Sequence, residues 1–361
     1  MKKILFITNI PSPYRVKFFN FLSKHVNLDV IFERNFASDR NKMWFDKNID
    51  FNYVILKSIK YGKDKSFSFG FIKYILKNYD HVFIGGYSSF TLALAMFTLK
   101  LLKIKFTLEV DGGFYKKQSF LLFHIKKILL NLPTFIFSTS NECDQYLLKY
   151  LKKSTKIIRY KFATLTNTEL EYNFQYSKKF KTSDLKLFPK KRYKFLSIIN
   201  DKYIKGLDIL IDFLNSTSLI FDIDIINVSK TNPLLAKINE RLKSHITIHD
   251  FIDNSKLKEF YSSSDFFIFP TRSDVWGIVV YESLSFGTPV ISTNMSLAAL
   301  HFINNFNGLL INTTLNNLFS NELEYKLSNF KFFDNLNCYN SIKSYSIESM
   351  VQDHLLHIKN L

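Results

Sequence analysis

Short apolar runs and longer amphipathic stretches follow one another twice along this chain, in two series separated by a segment with neither period. The first series predicts strands at Ile4–Thr8, Leu28–Phe32, His81–Ile84, Lys105–Val110 and Phe135–Ser138. Helices are predicted between them near Val16–His25, Ser89–Lys103 and Lys117–Asn131. Alternation of this kind builds a doubly wound, mainly parallel sheet with helices on both faces. From about Thr164 to Arg192 the periodicity lapses into Thr, Asn, Lys and Pro189, which reads as a connection between domains. The second series predicts strands at Phe195–Ile199, Phe221–Ile226, Ile246–Ile248 and Asp265–Pro270. Its helices fall near Leu207–Asn215, Asn232–Lys243 and Ser255–Ser263. A length of 361 residues, 47% hydrophobic, suffices for two such cores. The expected division is an α/β domain over 1–165, a connection over 166–192, a second α/β domain over 193–340 and a helical tail over 341–361.

The most specific local pattern lies at the end of the second series. The strand ending at Pro270 is followed by the loop Thr271–Gly277, on the side of a parallel sheet where ligands bind. Asp274 sits in that loop, Gly277 provides a turn, and a helix begins near Ile278 with Glu282 about one turn inside. The free N–H groups and positive dipole end of that helix are a seat for a diphosphate. A carboxylate at Glu282 can accept hydrogen bonds from a ribose diol. The plain alternative is an ordinary strand–loop–helix unit with solvated acids.

Asp274, Gly277, Glu282, Gly287, Pro289, Val290 and Ile291 together resemble the signature of the family-4 retaining glycosyltransferases, whose fold of two Rossmann-like domains facing a central cleft is called GT-B. The resemblance implies that Asp274 lies near the donor sugar hydroxyls, that Glu282 holds the nucleotide ribose, and that the amides around Gly277, Ile278 and Val279 meet the phosphates. The family's first acid is usually Glu, one methylene longer than Asp274. Lys205, in a Lys-Gly pair before an apolar helix, matches the family's lysine, a cation for the charge that develops on a leaving diphosphate. Asn200 stands where the family carries an arginine; Lys202 and Arg272 are the alternative sources of that charge. Phe251, after His249 and Asp250, falls where relatives contact the nucleobase through backbone.

Two turns in the first half extend the resemblance. Pro13, Tyr14 and Arg15 match an Ile-Pro-x-Pro-Tyr-Arg opening found among relatives in surface-polysaccharide synthesis, where the loop faces the cleft. A rigid turn with a capping arginine is the other reading. Gly86 and Tyr87 follow one predicted strand, and Asp111, Gly112 and Gly113 follow the next. Similar segments line the cleft in relatives, and Asp111 falls near a family histidine close to the donor sugar; a turn-forming Asx residue remains the alternative. In such proteins a C-terminal tail commonly crosses back to the first domain.

The remaining residues set bounds. Asp222 and Asp224 match the Asp-x-Asp that binds metal in a different glycosyltransferase fold, but here they share one face of a strand. No metal and no cofactor is expected beyond a nucleotide diphosphate sugar as co-substrate. His245 and His249 flank a predicted strand and make no ligand pair. Cys143 and Cys338 are too few and too far apart for a disulfide framework. Residues 2–8 read as a first strand and not a signal peptide. Leu92–Leu102 is too short for a membrane span of roughly 20 residues. Of the net charge of +18, +17 lies in residues 1–165, with 28 Lys and Arg against 11 Asp and Glu. An anionic partner for that half is one reading and lysines spread over solvated faces the other. Lys116, Lys117, Lys126 and Lys127, beside an apolar segment, are the sharpest candidates for contact with an anionic membrane. No nucleic-acid module is recognisable.

These residues lead to the expectation of a bacterial glycosyltransferase, retaining and metal-independent, in the cytoplasm at the inner face of the inner membrane. It would move a sugar from a UDP- or GDP-linked donor to a glycan or lipid-linked oligosaccharide during capsule, exopolysaccharide or O-antigen synthesis. The alternatives are a catalytically idle homologue serving as a scaffold and a nucleotide-sugar epimerase of the same fold.

Overall fold

The computed structural model describes residues 1–35, 48–62, 65–181, 185–187, 191–312, 315–329 and 332–361. They form two compact units, 1–166 with 345–361, and 167–344.

The first unit is built on a seven-stranded parallel sheet. Its strands lie in the order Asn52–Ile55, Asn27–Phe32, Lys3–Thr8, His81–Gly85, Phe106–Val110, Phe135–Ser138 and Lys156–Arg159. Strands covered on both faces read as near-continuous apolar runs, and Ile4 to Ile7 are fully buried. Many of the chain's phenylalanines serve this core: the Phe6 ring stacks on Phe83 at 4.6 Å and meets Phe18 and Phe19 of helix Pro13–Leu22 edge-on. The order reverses direction between Lys3–Thr8 and His81–Gly85, which opens a crevice at their carboxyl ends.

Helix Ile347–Lys359 packs in this unit against helix Pro13–Leu22, its start fixed by a reciprocal Ser346–Ser349 capping box. Two buried polar chains lock it to the sheet. His354 Nε2 lies 2.6 Å from Glu109 Oε1. Thr107 Oγ1 bridges His81 Nε2 at 2.7 Å and His357 Nε2 at 2.8 Å. Burial lowers the pKa of His81 to about 3 and that of His357 to about 4.

The second unit holds a six-stranded parallel sheet. The order is Ile246–His249, Phe221–Ile226, Tyr193–Ile198, Phe266–Phe269, Val290–Thr293 and Gly308–Ile311. Here the reversal falls between Tyr193–Ile198 and Phe266–Phe269. Two local expectations change. Residues 167–177, read as part of a connection, form helix Asn167–Ser177, whose Phe174 stacks on Tyr339 of helix Asn335–Ile342 at 4.5 Å. The helix predicted near Asn232–Lys243 is two 3₁₀ turns, Pro233–Lys237 and Glu240–His245. Asn232 caps the first through Leu234 N–H, and extended backbone at Ile238 and Asn239 interrupts what would have been a continuous helix.

Candidate functional site

In the second unit, the loops leaving Tyr193–Ile198 and Phe266–Phe269 are laced together at the sheet's reversal. Gly206 has φ +78°, and a Cβ there would fall 1.9 Å from the Pro270 carbonyl oxygen, so only glycine lets the two backbones pass. Arg272 N–H and Thr271 Oγ1 both donate to the Ile204 carbonyl, at 2.8 and 3.0 Å. This lacing brings the Lys205 ammonium onto Asp274 Oδ2, with Lys205 Nζ also 5.6 Å from the centroid of the Phe269 ring. The other oxygen, Asp274 Oδ1, accepts from Trp276 N–H at 3.2 Å, and Asp274 N–H donates to the Met295 carbonyl at 2.8 Å. Both side chains keep about a fifth of their surface open, 22% for Lys205 and 19% for Asp274. The pair is therefore oriented and still reachable.

Beyond it, Gly277 adopts φ +97°, with room for no Cβ because Ser296 Oγ would lie 2.3 Å away. Helix Ile278–Ser285 starts there without a side-chain cap from Gly277, and Ile278 and Val279, both half-buried, supply its first amides. Glu282, in the second turn, is half-buried and accepts a hydrogen bond from the Tyr261 hydroxyl at 3.0 Å. Burial, reinforced by Glu282, holds Tyr261 protonated well above the usual phenol range. That hydroxyl is therefore a standing donor that orients the carboxylate.

Arg272, one of the alternative sources of positive charge, is held by neighbours at the same loops. Its guanidinium makes a bidentate pair with Asp208, both distances 2.7 Å, and lies 3.9 Å over the Tyr203 ring. It braces the loop with its charge matched by Asp208. Asn200 Oδ1 accepts from Lys202 N–H at 3.1 Å, which makes it a turn-former, while the Lys202 side chain is exposed. Phe251 is exposed after the Ile246–His249 strand. Both residues of the Asp-x-Asp are engaged by protein groups: Asp222 by Arg192 at 2.8 Å and His245 at 2.9 Å, Asp224 by His249 at 2.9 Å. Among the described residues no three His, Cys, Asp or Glu side chains gather closely enough to hold a metal ion.

In the first unit, Pro13 occupies the first turn of helix Pro13–Leu22, so Tyr14 and Arg15 are helical and not part of a loop. Tyr14 meets Phe162 edge-on at 5.7 Å. Arg15 is buried, with one guanidinium nitrogen 2.5 Å from Glu109 and 3.7 Å from Asp111. Burial works against that charge, but Glu109 and then Asp111 outweigh it and hold Arg15 more firmly protonated than usual. Burial would likewise raise Glu109, yet Arg15 and then His354 keep it below the ordinary carboxyl range. Asp111 is shifted upward, by burial first, with Arg15 opposing and Glu109 adding. Its carboxylate accepts from the Tyr160 hydroxyl at 3.0 Å. Asp111 thus belongs to a polar chain running His354, Glu109, Arg15, Asp111, Tyr160. Gly86 and Gly112 have φ of +101° and +139°. Gly113 abuts Tyr146, whose hydroxyl lies 2.6 Å from that of Tyr87.

Sequence reasoning passed over Glu109, Tyr160, Tyr261, Asp208 and His354. For Glu109 a signal existed, a lone acid inside the apolar strand Phe106–Val110; the others became visible only through tertiary contact. Of the four lysines, Lys116, Lys117 and Lys127 are exposed, whereas Lys126 is partly buried 5.9 Å from the centroid of the Tyr150 ring, and burial lowers its pKa. Cys143 and Cys338 are buried, their thiols facing the Val110 carbonyl at 3.6 Å and the Asn307 carbonyl at 3.8 Å.

Across 99% of this chain and 100% of the other, the structure superposes on Anabaena Alr3699/HepE in complex with UDP, with a TM-score of 0.71 at 12% identity. The apo form of the lipopolysaccharide outer core galactosyltransferase WaaB matches over 99% of both chains, with a TM-score of 0.68 at 13% identity. The fold is GT-B. Residues 179–337, within the second unit, match the family model described as Glycosyl transferases group 1. The chain is 32% identical over 94 residues to the O-antigen biosynthesis glycosyltransferase WclY of Escherichia coli. That match spans about a quarter of each protein, 26% in both cases.

Proposed function

We propose that this protein is a retaining glycosyltransferase that takes a sugar from a UDP- or GDP-linked donor and passes it to a glycan or lipid-linked oligosaccharide in bacterial surface-polysaccharide assembly. The observation that carries the reading is the Lys205–Asp274 pair at the reversal of the second sheet, one short loop from the open helix start at Ile278 and from Glu282. In this reading Glu282, oriented by Tyr261, takes the ribose diol, and the amides of Gly277, Ile278 and Val279 take the diphosphate. Lys205 stabilises the negative charge that grows on the leaving phosphate, a task that needs no metal. Asp274 is held by its neighbours to face the sugar. With retention, the departing phosphate itself takes the acceptor proton, so no separate carboxylate base is required.

Support comes from neighbours of the same fold that are described in complex with UDP and with UDP-glucose, and from the O-antigen relative. The first unit is read as the acceptor side. Asp111 and the glycine turns at Gly86, Gly112 and Gly113 form its polar edge, with Arg15 buried behind Asp111, and the lysines at 116, 117 and 127 rest on the anionic cytoplasmic leaflet. Calorimetric titration with free UDP and GDP tests the donor assignment. Saturable binding of one of them, lost in Glu282→Ala, is expected; no binding of either contradicts it.

A further inference from the structure

Helix Phe120–Leu130 is apolar on the wrong side. A surface helix buries an apolar stripe and offers polar residues to water. Here Leu129 and Leu130 face the core, while the opposite arc carries Phe120, Leu121, Ile125 and Ile128, exposed by 80%, 69%, 43% and 53%, with His124 among them and Lys127 at one margin. The neighbouring crossover repeats the pattern. Crossovers between parallel strands run right-handed as a rule, and the successive connections from His81–Gly85 to Phe106–Val110 and on to Phe135–Ser138 step in one direction across the sheet, which puts helices Phe90–Leu101 and Phe120–Leu130 on the same face. Leu101 is 81% exposed there. A chain that has 39 phenylalanines and can bury most of its large ones has left these outside.

We infer that this outward ridge inserts shallowly into an anionic lipid leaflet, with Phe120, Leu121, Ile125 and Ile128 entering the headgroup and acyl boundary. Lys116, Lys117 and Lys127 meet the lipid phosphates. Charge complementarity selects this occupant: the exposed lysines border the ridge, and the half of the chain that holds it carries +17 of the +18 net charge. The inference deepens the membrane reading above and rests on it. It differs in what does the binding. Lysine attraction fades with salt, whereas apolar insertion persists.

Co-sedimentation with phosphatidylglycerol-containing and with pure phosphatidylcholine vesicles, at about 0.1 M and about 0.5 M NaCl, separates the two contributions. Wild type is expected to bind the anionic vesicles and to keep a measurable fraction bound at high salt. The triple variant Phe120→Ser, Leu121→Ser, Ile128→Ser should lose at least about tenfold at both salts. Lys116→Gln, Lys117→Gln, Lys127→Gln should lose mainly at low salt. If the serine variant fails to fold, Phe120→Trp gives the answer: its added emission must shift to the blue on anionic vesicles. Wild type that ignores vesicles, a serine variant that binds as well as wild type, or an unshifted tryptophan overturns the proposal. So does a vesicle-free dimer that the serine variant splits, because a second copy then covers the ridge. Nucleotide titration in parallel keeps the readings apart. Lost vesicle binding with intact nucleotide binding rejects the ridge alone, and the converse rejects the glycosyltransferase reading.

Discussion

Lys205 and Asp274 are 69 residues apart in sequence, yet they form one ion pair that ties together the loops leaving the two strands at the reversal of the second sheet. A lysine and an acid held this way are organised before any ligand arrives. Lys205→Ala should therefore slow turnover by at least about a hundredfold, because charge stabilisation of a leaving group is commonly worth roughly 2.7–4 kcal/mol. Lys205→Arg, longer and planar, should restore little of it. Steady-state rates at saturating donor check both.

Glu282→Ala should weaken binding of free nucleotide more than Asp274→Asn does. Glu282 accepts from Tyr261 and, in the proposed role, from a ribose, each charge-assisted hydrogen bond being worth roughly 1.5–3 kcal/mol. A loss of about ten- to a hundredfold in affinity is expected for Glu282→Ala and less than about threefold for Asp274→Asn. Equal losses in calorimetry with the free nucleotide would remove the division of roles.

Gly206 and Gly86 both sit at positive φ, but they differ in surroundings. A Cβ at Gly206 meets the Pro270 carbonyl oxygen at 1.9 Å, while one at Gly86 meets nothing within 4 Å. Gly86→Ala carries only the backbone cost, about 1 kcal/mol. Gly206→Ala must also push the two site loops apart, so it should cost roughly 2–3 kcal/mol or more and lower the melting temperature by several degrees further. Similar melting temperatures for the two variants would contradict the close packing at this turn.

The docking of helix Ile347–Lys359 carries a pH dependence. His81 and His357 have folded values near 3 and 4, below the ordinary value of about 6.5, so the unfolded chain takes up protons first as pH falls. Their contribution is complete above about pH 6.5 and is lost on going down toward pH 4 and then 3. Urea unfolding of the first unit should show stability falling between pH 6.5 and 4, with a shallower slope in His81→Gln. An unchanged slope in that variant would place the titration elsewhere.

Much of this architecture was legible because buried parallel strands are apolar at nearly every position. Runs such as Ile4–Ile7 and Phe266–Phe269 have no other use. Edge strands carry no such demand. Asn52–Ile55 and Lys156–Arg159 leave most side chains exposed or half-buried and gave no apolar run to find. At the site, Asp274, Gly277 and Glu282 were legible because glycine turn, acid and helix start are adjacent in the chain. The brace between Arg272 and Asp208 joins residues 64 apart, and the Tyr261 hydroxyl reaches Glu282 from another helix, so neither could be read from local spacing. Arg15 was expected in a loop because Pro11 and Pro13 suggest a rigid turn; proline is equally at home in the first turn of a helix, and the helix won.

The central claim is sugar transfer with retention, and anomeric analysis of the product tests it most directly. The protein is incubated with a panel of UDP- and GDP-linked sugars and lipid-diphosphate oligosaccharides, and any extended acceptor is examined by proton NMR. The account predicts that one donor extends one acceptor by a single residue whose anomeric configuration matches that of the donor. An inverted linkage contradicts retention, and free sugar released at the same rate with or without acceptor contradicts transfer.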